Sequence, residues 1–331
     1  MTKLSMSCPI CKGGFFLPGA EIFDDRYGES NLYQLARCLG CGHVATAPRL
    51  RESDLSTLYG TFYPRKNTVA DDVALEAGKV KRPFAGLVRW WNGTDNQGQY
   101  SVRSGEVMLD VGCGSGASLL EAKALGATAY GIEADPNVKA ISSALGLNIH
   151  FGSLQDRPFP EHSFDLIVMN QVIEHLPEPD LALQMLRERL TPNGRMVMVF
   201  PNTSSLWRRL SGNRWINWHI PYHLHHFDRK TFERMARHCG FEVVRARTIT
   251  PNVWTLLQLR ASRYTPELGQ PSPIWSVTNR SDVATGDTSK GYLLRTLLRF
   301  SVLSTFAIVN RVVDVLNMGD SLLVELRRSG Q

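Results

Sequence analysis

The stretch that most constrains the fold of this chain is Val107–Gly116, which reads VMLDVGCGSG. An apolar run with one acid near its end is followed by glycines at every second position and then by helix-forming residues. Glycine lacks a Cβ, so this turn can adopt backbone angles closed to other residues and can bring bare amide groups against a ligand. The pattern predicts a strand, a tight turn and the start of a helix, with a nucleotide-like cofactor at the turn.

The acids around the glycines distinguish between two classes of cofactor. Gly112, Gly114 and Ala117 also meet the dinucleotide pattern G-x-G-x-x-G/A, so glycine spacing alone does not identify the cofactor. Asp110 precedes the first glycine by two residues, where a carboxylate repels a pyrophosphate but can accept hydrogen bonds from the ammonium group of an amino acid. Glu133 ends a second apolar run about twenty residues downstream, the distance at which an acid meets ribose hydroxyls in βαβ folds. Together the two acids favour a nucleotide cofactor with a cationic head.

These segments resemble motifs I and II of the class I S-adenosylmethionine (SAM)-dependent methyltransferases. The resemblance continues through FGSLQDRPFPEHSFDLIVMNQVIEHLPEP at 151–179 and PNGRMVMVFPN at 192–202. It implies an α/β, Rossmann-like sheet of seven strands whose last strand runs antiparallel between the fifth and the sixth. The cofactor contacts that we predict on this basis are Asp110, Gly112, Gly114, Gly116, Glu133, Ala134, Ser153, Leu154, Asn170 and Gln171. Ser153 and Asp156 are the candidates for the adenine, because the chain has no acid directly after the third strand.

Length and composition indicate a folded protein with room for more than one module. The chain has 331 residues, of which 43% are hydrophobic, enough for one large domain and a smaller one. The N-terminal segment has no apolar core of signal-peptide length, and no uncharged apolar run reaches the roughly 18 residues of a membrane span, so we expect a cytoplasmic protein. The net charge of +6 is spread along the chain, which permits an anionic substrate without requiring nucleic acid.

Four of the six cysteines form two C-x-x-C pairs near the N-terminus, Cys8 with Cys11 and Cys38 with Cys41. In a reducing compartment this grouping favours a metal site over disulfides, and the presence of two pairs favours it over a redox role. The pattern is that of a zinc ribbon. Because four thiolates complete a tetrahedral shell, we expect the zinc to be structural and to take no part in catalysis.

We divide the chain into five parts, which are a zinc-ribbon module at 1–50, a helical linker or lid at 51–104, a SAM-binding core at 105–250, a loop and apolar helical insertion at 251–318, and the final strand of the core at 319–331. The apolar runs predict strands near 106–111, 128–133, 147–151, 164–170, 194–200, 241–247 and 321–327. The intervening patterns predict helices near 116–125, 136–145 and 180–190. In the linker, residues 82–91 could form a helix with Phe84, Leu87, Val88 and Trp91 on one side. We favour a lid packed on the core over a lipid-binding or base-stacking surface, because aromatic stripes at helical spacing are usually core.

Two segments carry candidate catalytic groups. VMNQVIEHLPEP places Glu174 and His175 just past the fourth strand, and HIPYHLHHF places Tyr222, His223 and His225 ahead of a helix. So many histidines near one tyrosine are unusual for a plain loop, and we predict that they handle the acceptor proton. The alternative is that the acid and the histidine after the fourth strand only hold the loop.

Parts of these two segments resemble the motifs of two methyltransferase families. Y-H-x-H followed by a helix resembles the nucleotide-sugar C-methyltransferases, which also carry an N-terminal zinc-binding region, although Leu224 replaces the acid between their histidines. E-x-x-E-H with downstream histidines resembles metal-assisted O-methyltransferases, although Gln171 replaces the first acid. In that case His223 or His226 could complete a site for a second, divalent metal ion. The cluster is therefore predicted to be a base or a metal site.

The predicted function is SAM-dependent methyl transfer to a hydroxyl or an activated carbon of a small-molecule, sugar or lipid-linked glycan acceptor. The alternative is an RNA methyltransferase or a zinc-ribbon nucleic-acid-binding protein, which would require basic residues concentrated around the cysteines. The charges there are nearly balanced, namely Lys12, Arg26 and Arg37 against Glu21, Asp24, Asp25 and Glu29. We therefore do not expect nucleic acid as a partner.

The segment 292–318, YLLRTLLRFSVLSTFAIVNRVVDVLNM, is more apolar than a surface helix needs to be. Charged residues interrupt it and leave only a short uncharged run at 300–310, so it cannot cross a bilayer. We favour burial against the sheet or across a homodimer interface. The alternative is peripheral contact with the inner face of a membrane, with Trp254, Leu256, Leu257 and Leu259 as a second contact and a lipid-linked acceptor.

Overall fold

Our computed structural model describes residues 7–13, 16–17, 19–63, 69–275 and 304–330. These residues form two β-sheets with helices around them. The strands are β1 (Phe16–Leu17), β2 (Glu21–Phe23), β3 (Leu32–Cys38), β4 (Val44–Ala47), β5 (Val107–Val111), β6 (Thr128–Glu133), β7 (Asn148–Phe151), β8 (Phe164–Asn170), β9 (Leu190–Pro201), β10 (His225–His226), β11 (Phe241–Ile249) and β12 (Ser321–Arg328). The helices are α1 (Glu52–Thr61), α2 (Ala70–Gly78), α3 (Ala85–Asn92), α4 (Ala117–Ala124), α5 (Lys139–Ala144), α6 (Pro179–Glu188), α7 (Leu206–Ser211), α8 (Arg229–His238) and α9 (Asn252–Ala261). Residues 304–315 are also helical.

The larger sheet has seven strands in the spatial order β11-β12-β9-β8-β5-β6-β7. Strands β5 to β9 pair in parallel, whereas β12 is antiparallel to both of its neighbours, β9 and β11. The central strands β5 and β8 read as nearly continuous apolar runs because helices cover both faces of a parallel sheet. The seven-stranded fold that the sequence predicts, with the last strand antiparallel between the fifth and the sixth, is confirmed.

The predicted strand positions follow the observed ones closely. Predictions at 128–133 and 164–170 coincide with β6 and β8. Strand β9 begins at Leu190, earlier than predicted, because Leu190 already pairs with Phe164 before a register shift. The helix predicted at 136–145 begins as a 3-10 turn at Pro136–Val138 and continues as α5.

The smaller sheet joins the N-terminal region to the core. Strands β1, β3, β4 and β10 follow one another, and β2 pairs with the other part of β3. Strand β10 comes from the core, where His225 pairs with Ala45 and His226 pairs with Val44. The N-terminal module is therefore completed by residues that lie far beyond its predicted boundary in the sequence.

Helix α3 forms within the segment where the sequence predicts one, but it does not pack as expected. None of its residues is buried, and the four side chains predicted to face the core, Phe84, Leu87, Val88 and Trp91, are exposed. The preference for a packed lid helix was therefore wrong for α3. Helical spacing identified an apolar face but could not show whether another element covers it.

The helix at 304–315 packs against α9 through polar as well as apolar groups. Asn310 donates to the side chain of Asn252 at 2.9 Å and to that of Thr255 at 2.9 Å, and Ala307 and Val313 are buried. This packing accounts for one face of the helix. The remainder of the predicted apolar helix, 292–303, and most of the predicted polar loop, 276–290, lie outside the described residues. Among the helices that the structure describes, none is long and apolar enough to cross a membrane.

Candidate active site

The glycine turn after β5 adopts the backbone conformation that the sequence predicts. Gly112, Gly114 and Gly116 have φ angles of +77°, +55° and +87°, a region that favours glycine. A Cβ on Gly112 would also lie 2.4 Å from Cγ2 of Val172. Helix α4 follows directly, so the turn presents backbone amides at a helix N-terminus beside the carboxyl ends of the parallel strands.

Two acids flank this turn. Asp110 is 2% exposed; Ser118 donates to its Oδ2, while its Oδ1 has no hydrogen-bond partner among the described residues. Burial raises the pKa of Asp110 to about 7. Glu133 accepts hydrogen bonds from the backbone of Gly114 at 2.7 Å and of Asp135 at 2.8 Å. An unpartnered, buried carboxylate oxygen fits a cationic ligand group, and Glu133 holds the turn beside it.

The candidates for the adenine lie at the end of β7. Asp156 accepts from the backbone of Ser153 and lies near Nε2 of His150, both at 2.8 Å, and the hydrogen bond with His150 is the main cause that lowers the pKa of Asp156. Leu154 is half-buried against the core, and Ala134 is exposed beside the second acid. The structure therefore brings the two polar candidates together and adds a histidine that the sequence analysis did not include.

Asn170 ends β8 and contacts the segment before β5, and Gln171 follows it. Asn170 accepts from the backbone of Gly98 at 2.7 Å and donates to the side chain of Gln99 at 3.0 Å. Gln171 has a φ of +58°, and its buried Nε2 has no partner among the described residues. Strained backbone of this kind is frequent at functional sites. Gln99 carried no sequence signal, because it lies in a short 3-10 turn without a recognisable pattern.

The buried residues Glu174 and His223 and the half-buried His175 form a cluster next to these residues, which we call the buried cluster. A 3-10 turn, Ile173–His175, carries the first two side chains. Glu174 is 1% exposed, and neither of its carboxylate oxygens has a hydrogen-bond partner among the described residues. Nε2 of His223 lies 3.9 Å from Oε1 of Glu174, and one ligand atom from each of the three residues lies within 4.8 Å of the others. Burial raises the pKa of Glu174 to about 8.

Both histidines are held through Nδ1. Nδ1 of His223 lies 2.9 Å from the carbonyl oxygen of Asn217, and Nδ1 of His175 lies 3.0 Å from that of Tyr222. With the ring protons assigned to Nδ1, both rings donate to a backbone carbonyl and leave Nε2 without a proton. Burial lowers the pKa of His175 to about 4 and that of His223 well below its usual value, so both rings are neutral. This form can accept a proton or bind a metal ion.

Tyrosines from three parts of the chain surround the cluster. The rings of Tyr27, Tyr59 and Tyr63 lie 5.5, 5.3 and 5.2 Å from that of Tyr222. The Tyr59 hydroxyl is 2.8 Å from Nδ1 of His175, and the buried hydroxyl of Tyr222 has no partner among the described residues. The first three tyrosines come from the N-terminal region and from the end of α1. The sequence analysis missed them, although the aromatic run LYGTFYP was a usable signal.

His225 and His226 lie in β10 and face the N-terminal sheet. Nδ1 of His225 is 3.1 Å from Nε2 of His43, whose ring stacks on it, and Nε2 of His226 is 3.0 Å from Oγ1 of Thr46. The structure thus brings His223 to Glu174 but places His225 at the junction between the two sheets.

Strand β4 holds the histidine segment from the N-terminal side. Oγ1 of Thr46 donates to the carbonyl oxygen of His223 at 2.6 Å, and the Thr46 amide donates to that of Leu224 at 3.0 Å. The Leu224 amide in turn donates to the carbonyl oxygen of Glu174 at 2.8 Å. A continuous set of hydrogen bonds therefore connects β4 with two members of the buried cluster.

The four predicted zinc ligands lie together at the end of the β3–β4 hairpin. The sulfur atoms of Cys8 and Cys41 are 3.6 Å apart, and those of Cys11 and Cys38 are 3.5 Å apart. None of them is in a disulfide. A tetrahedral zinc ion with sulfur ligands at about 2.3 Å places its sulfurs about 3.8 Å apart, close to this spacing. The cysteines therefore fit one structural zinc ion.

Comparisons with known proteins agree with this architecture. Residues 93–246 match the family model described as a methyltransferase domain. Ribosomal protein L11 methyltransferase of Cupriavidus metallidurans is 32% identical over 130 residues, which are 38% of this chain and 40% of that protein. The mitochondrial ubiquinone biosynthesis O-methyltransferase of Schizosaccharomyces pombe is 29% identical over 117 residues, 33% of this chain and 42% of that protein.

Among the solved structures that are similar to this chain is a SAM-dependent methyltransferase from Archaeoglobus fulgidus. The match covers 78% of this chain and 94% of that chain, with 14% sequence identity and a TM-score of 0.43. The chain spans only about two fifths of the length of the two curated relatives. The sequence likeness is thus confined to part of each relative.

Proposed function

We propose that this protein, whose residues 93–246 match a methyltransferase domain, is a class I SAM-dependent methyltransferase. It transfers a methyl group from SAM to a hydroxyl or an activated carbon of a small-molecule, sugar or lipid-linked glycan acceptor. The observation that carries the proposal is Glu174, a buried carboxyl group whose two oxygens have no hydrogen-bond partner among the described residues. It lies in the 3-10 turn after β8, beside His223. Relatives named as ubiquinone biosynthesis and tocopherol O-methyltransferases support the hydroxyl among these acceptors.

The residues around the glycine turn would hold the cofactor. SAM supplies an electrophilic methyl group on a positively charged sulfur. The free Oδ1 of Asp110 suits the ammonium group of its amino-acid part, and Glu133 suits the ribose hydroxyls. The other residues that we assign to the cofactor are Gly112, Gly114, Gly116, Ala134, Ser153, Leu154, Asn170 and Gln171.

The buried cluster would prepare the acceptor. Methyl transfer is an in-line displacement, so the protein has to align the acceptor and remove its proton. Glu174 and His223 present an unpartnered carboxyl group and an unprotonated Nε2 in adjacent positions, and we assign proton removal to them. His175 and Tyr222 would position the acceptor. His225 would act indirectly, by positioning the histidine segment through the contact of its ring with His43.

The same three side chains also fit a divalent metal ion. Glu174 offers a carboxylate without a partner, and the two neutral imidazoles are oriented by backbone carbonyls, as metal-binding histidines usually are. Such an ion would supply Lewis-acid chemistry that lowers the pKa of an acceptor hydroxyl. The site would then contain one carboxylate and two imidazoles. We assign a separate, structural zinc ion to Cys8, Cys11, Cys38 and Cys41, since four thiolates leave no open coordination position.

Calorimetry with SAM tests the proposed function. We expect the wild type to bind SAM, and we expect the double variant Asp110→Ala with Glu133→Ala to bind it roughly a hundredfold more weakly, because it loses two charge-assisted hydrogen-bonding groups. The matched control is Glu161→Ala with Glu242→Ala, which removes two exposed acids and should bind SAM as the wild type does. A folded wild type that gives no binding heat, or equal affinities for the two double variants, would refute the proposal.

The pH dependence of the same measurement reports on Asp110. Because burial raises the pKa of Asp110 to about 7, and a cationic ligand favours the ionised carboxylate, SAM affinity should increase as the pH rises through about 7. The stability of the free protein should show the opposite trend. A raised folded-state pKa contributes stability that is present below the unfolded-state value of about 3.9 and is lost as the pH rises through about 7. Both trends should be absent from Asp110→Asn, and their persistence there would assign them to another group.

A further inference from the structure

Helix α3 presents an apolar face to solvent. Phe84 and Leu87 are 79% and 61% exposed, and Val88 and Trp90 are also exposed. Isolated exposed apolar residues are normal, but a contiguous group of large ones on a single helix marks an interaction surface. The face therefore requires an explanation beyond the packing of the core.

The helix at 304–315 has a similar outward face. Ile308, Val312 and Val315 point to solvent, and Val315 is 81% exposed. Asn310, on the opposite side of this helix, and Arg311, at the edge of its apolar stripe, are buried and pack toward α9 and Thr250. The orientation of the helix is thus fixed by polar contacts, and none of the residues that the structure describes covers its apolar side.

The two helices that carry these apolar faces contact each other. Nη1 of Arg311 donates to the carbonyl oxygen of Trp90 at 2.5 Å, and Nδ2 of Asn252 donates to that of Trp91 at 3.0 Å. A Cβ on Gly93, directly after α3, would lie 2.2 Å from the carbonyl oxygen of Thr250. We use the term apolar surface for the combined patch, which is defined by Phe84, Leu87, Trp90, Ile308, Val312 and Val315.

Cations border the apolar surface on the side of α3. Residues 79–92 contain four cations, Lys79, Lys81, Arg82 and Arg89, and no acid. Lys79 pairs with Glu76, and the guanidinium of Arg89 lies over the ring of Tyr100. Lys81 and Arg82 are exposed directly before Phe84. Exposed cations next to tryptophan, phenylalanine and leucine are typical of helices that lie in the interface of an anionic membrane.

We infer that the apolar surface docks on a lipid bilayer that contains anionic lipids. The complementary charge of Lys81 and Arg82 supports this occupant over a second copy of the chain, because a two-fold contact through α3 would bring the same cations of both copies together. Helix α3 has eight residues and a length of about 12 Å, so it would lie in the headgroup region and not cross it. The inference does not depend on the identity of the acceptor.

Vesicle flotation tests the inference. The full-length protein should float with phosphatidylcholine vesicles that contain phosphatidylglycerol, should float much less with phosphatidylcholine alone, and should be released by salt. Lys81→Glu with Arg82→Glu should weaken partitioning at least roughly fivefold per cation removed. Leu87→Glu should abolish flotation. The matched control is Leu39→Glu, since Leu39 is also 61% exposed but lies in the cysteine turn after β3; this variant should float normally.

Tryptophan fluorescence locates the contact. Brominated lipids should quench the wild type, and the double variant Trp90→Phe with Trp91→Phe should still float but lose most of the quenching. Unchanged SAM affinity in every variant confirms that the core is folded. The inference is overturned if the wild type does not float with anionic vesicles at low salt. It is also overturned if Leu87→Glu floats normally, if quenching persists in the double variant, or if Leu87→Glu converts a dimer into a monomer without a change in flotation.

Discussion

Replacing Glu174 by glutamine is expected to lower the rate of methyl transfer by roughly 10²–10⁴-fold. Glutamine keeps the shape of the side chain but can neither take up a proton nor provide a carboxylate to a metal ion. Because Glu174 is buried beside His223 and not in the glycine turn, the SAM affinity should stay within about twofold of the wild type. The measurement is transfer of label from methyl-labelled SAM to an acceptor that the wild type methylates.

Glu178→Gln is the matched control, since it makes the same change in the same segment at an exposed position. This control should be as active as the wild type. A wild-type rate of methyl transfer in Glu174→Gln would show that the carboxyl group takes no part in the reaction. Metal analysis of the same proteins separates the two roles of the cluster, because a metal site predicts that Glu174→Gln and His223→Ala each lose one metal equivalent while the zinc on the cysteines is retained.

Removing two cysteines is expected to inactivate the enzyme although they lie outside the active site. Cys8→Ser with Cys38→Ser should lose one zinc ion, and the N-terminal sheet should unfold with it, because structural zinc contributes about 10–16 kcal/mol in small zinc-binding modules. Strand β4 would then no longer pair with β10 or hold the carbonyl oxygen of His223 through Thr46. We expect at least a roughly hundredfold loss of methyl transfer, an effect that the sequence-based assignment of a purely structural zinc did not include.

Two further variants test whether the loss of activity comes from the loss of zinc and of the contacts that β4 makes. Cys239→Ser changes a buried cysteine outside the quartet and should keep both zinc and activity. Thr46→Val should keep zinc but lower the rate, since it removes the contacts of the hydroxyl with the carbonyl oxygen of His223 and with Nε2 of His226 and leaves the backbone pairing of β4 in place. Circular dichroism and metal content verify the state of each protein. Full methyl transfer by the zinc-free double variant would show that the N-terminal module does not position the histidine segment.

The sequence predicted the parts of the structure that depend on local patterns. The central parallel strands of the larger sheet were found because strands buried on both faces read as apolar runs. The glycine turn with Asp110 and Glu133 was found because the backbone there requires glycine at fixed positions. The cysteine quartet was found from ligand spacing alone, and it agrees with the observed sulfur positions.

The features of the structure that the sequence did not predict depend on contacts between distant segments. Strand β10 has only two residues and pairs with β4 across about 180 positions, and such a pairing leaves no periodic signal. The sequence therefore could not separate His223, which reaches Glu174, from His225, which contacts His43. The aromatic run LYGTFYP marked Tyr59 as a candidate, but its contact with His175 and the exposure of α3 depend on tertiary packing and were not predictable.

Hydrogen–deuterium exchange with and without SAM tests the central claim most directly, because it locates the bound cofactor in the unmodified protein. We predict protection of peptides from the glycine turn at 112–118, from the end of β6 at 133–135 and from the end of β8 at 170–176, with no change in the cysteine turns. Absence of SAM-dependent protection in these three segments, or protection confined to residues 8–47, would contradict the account.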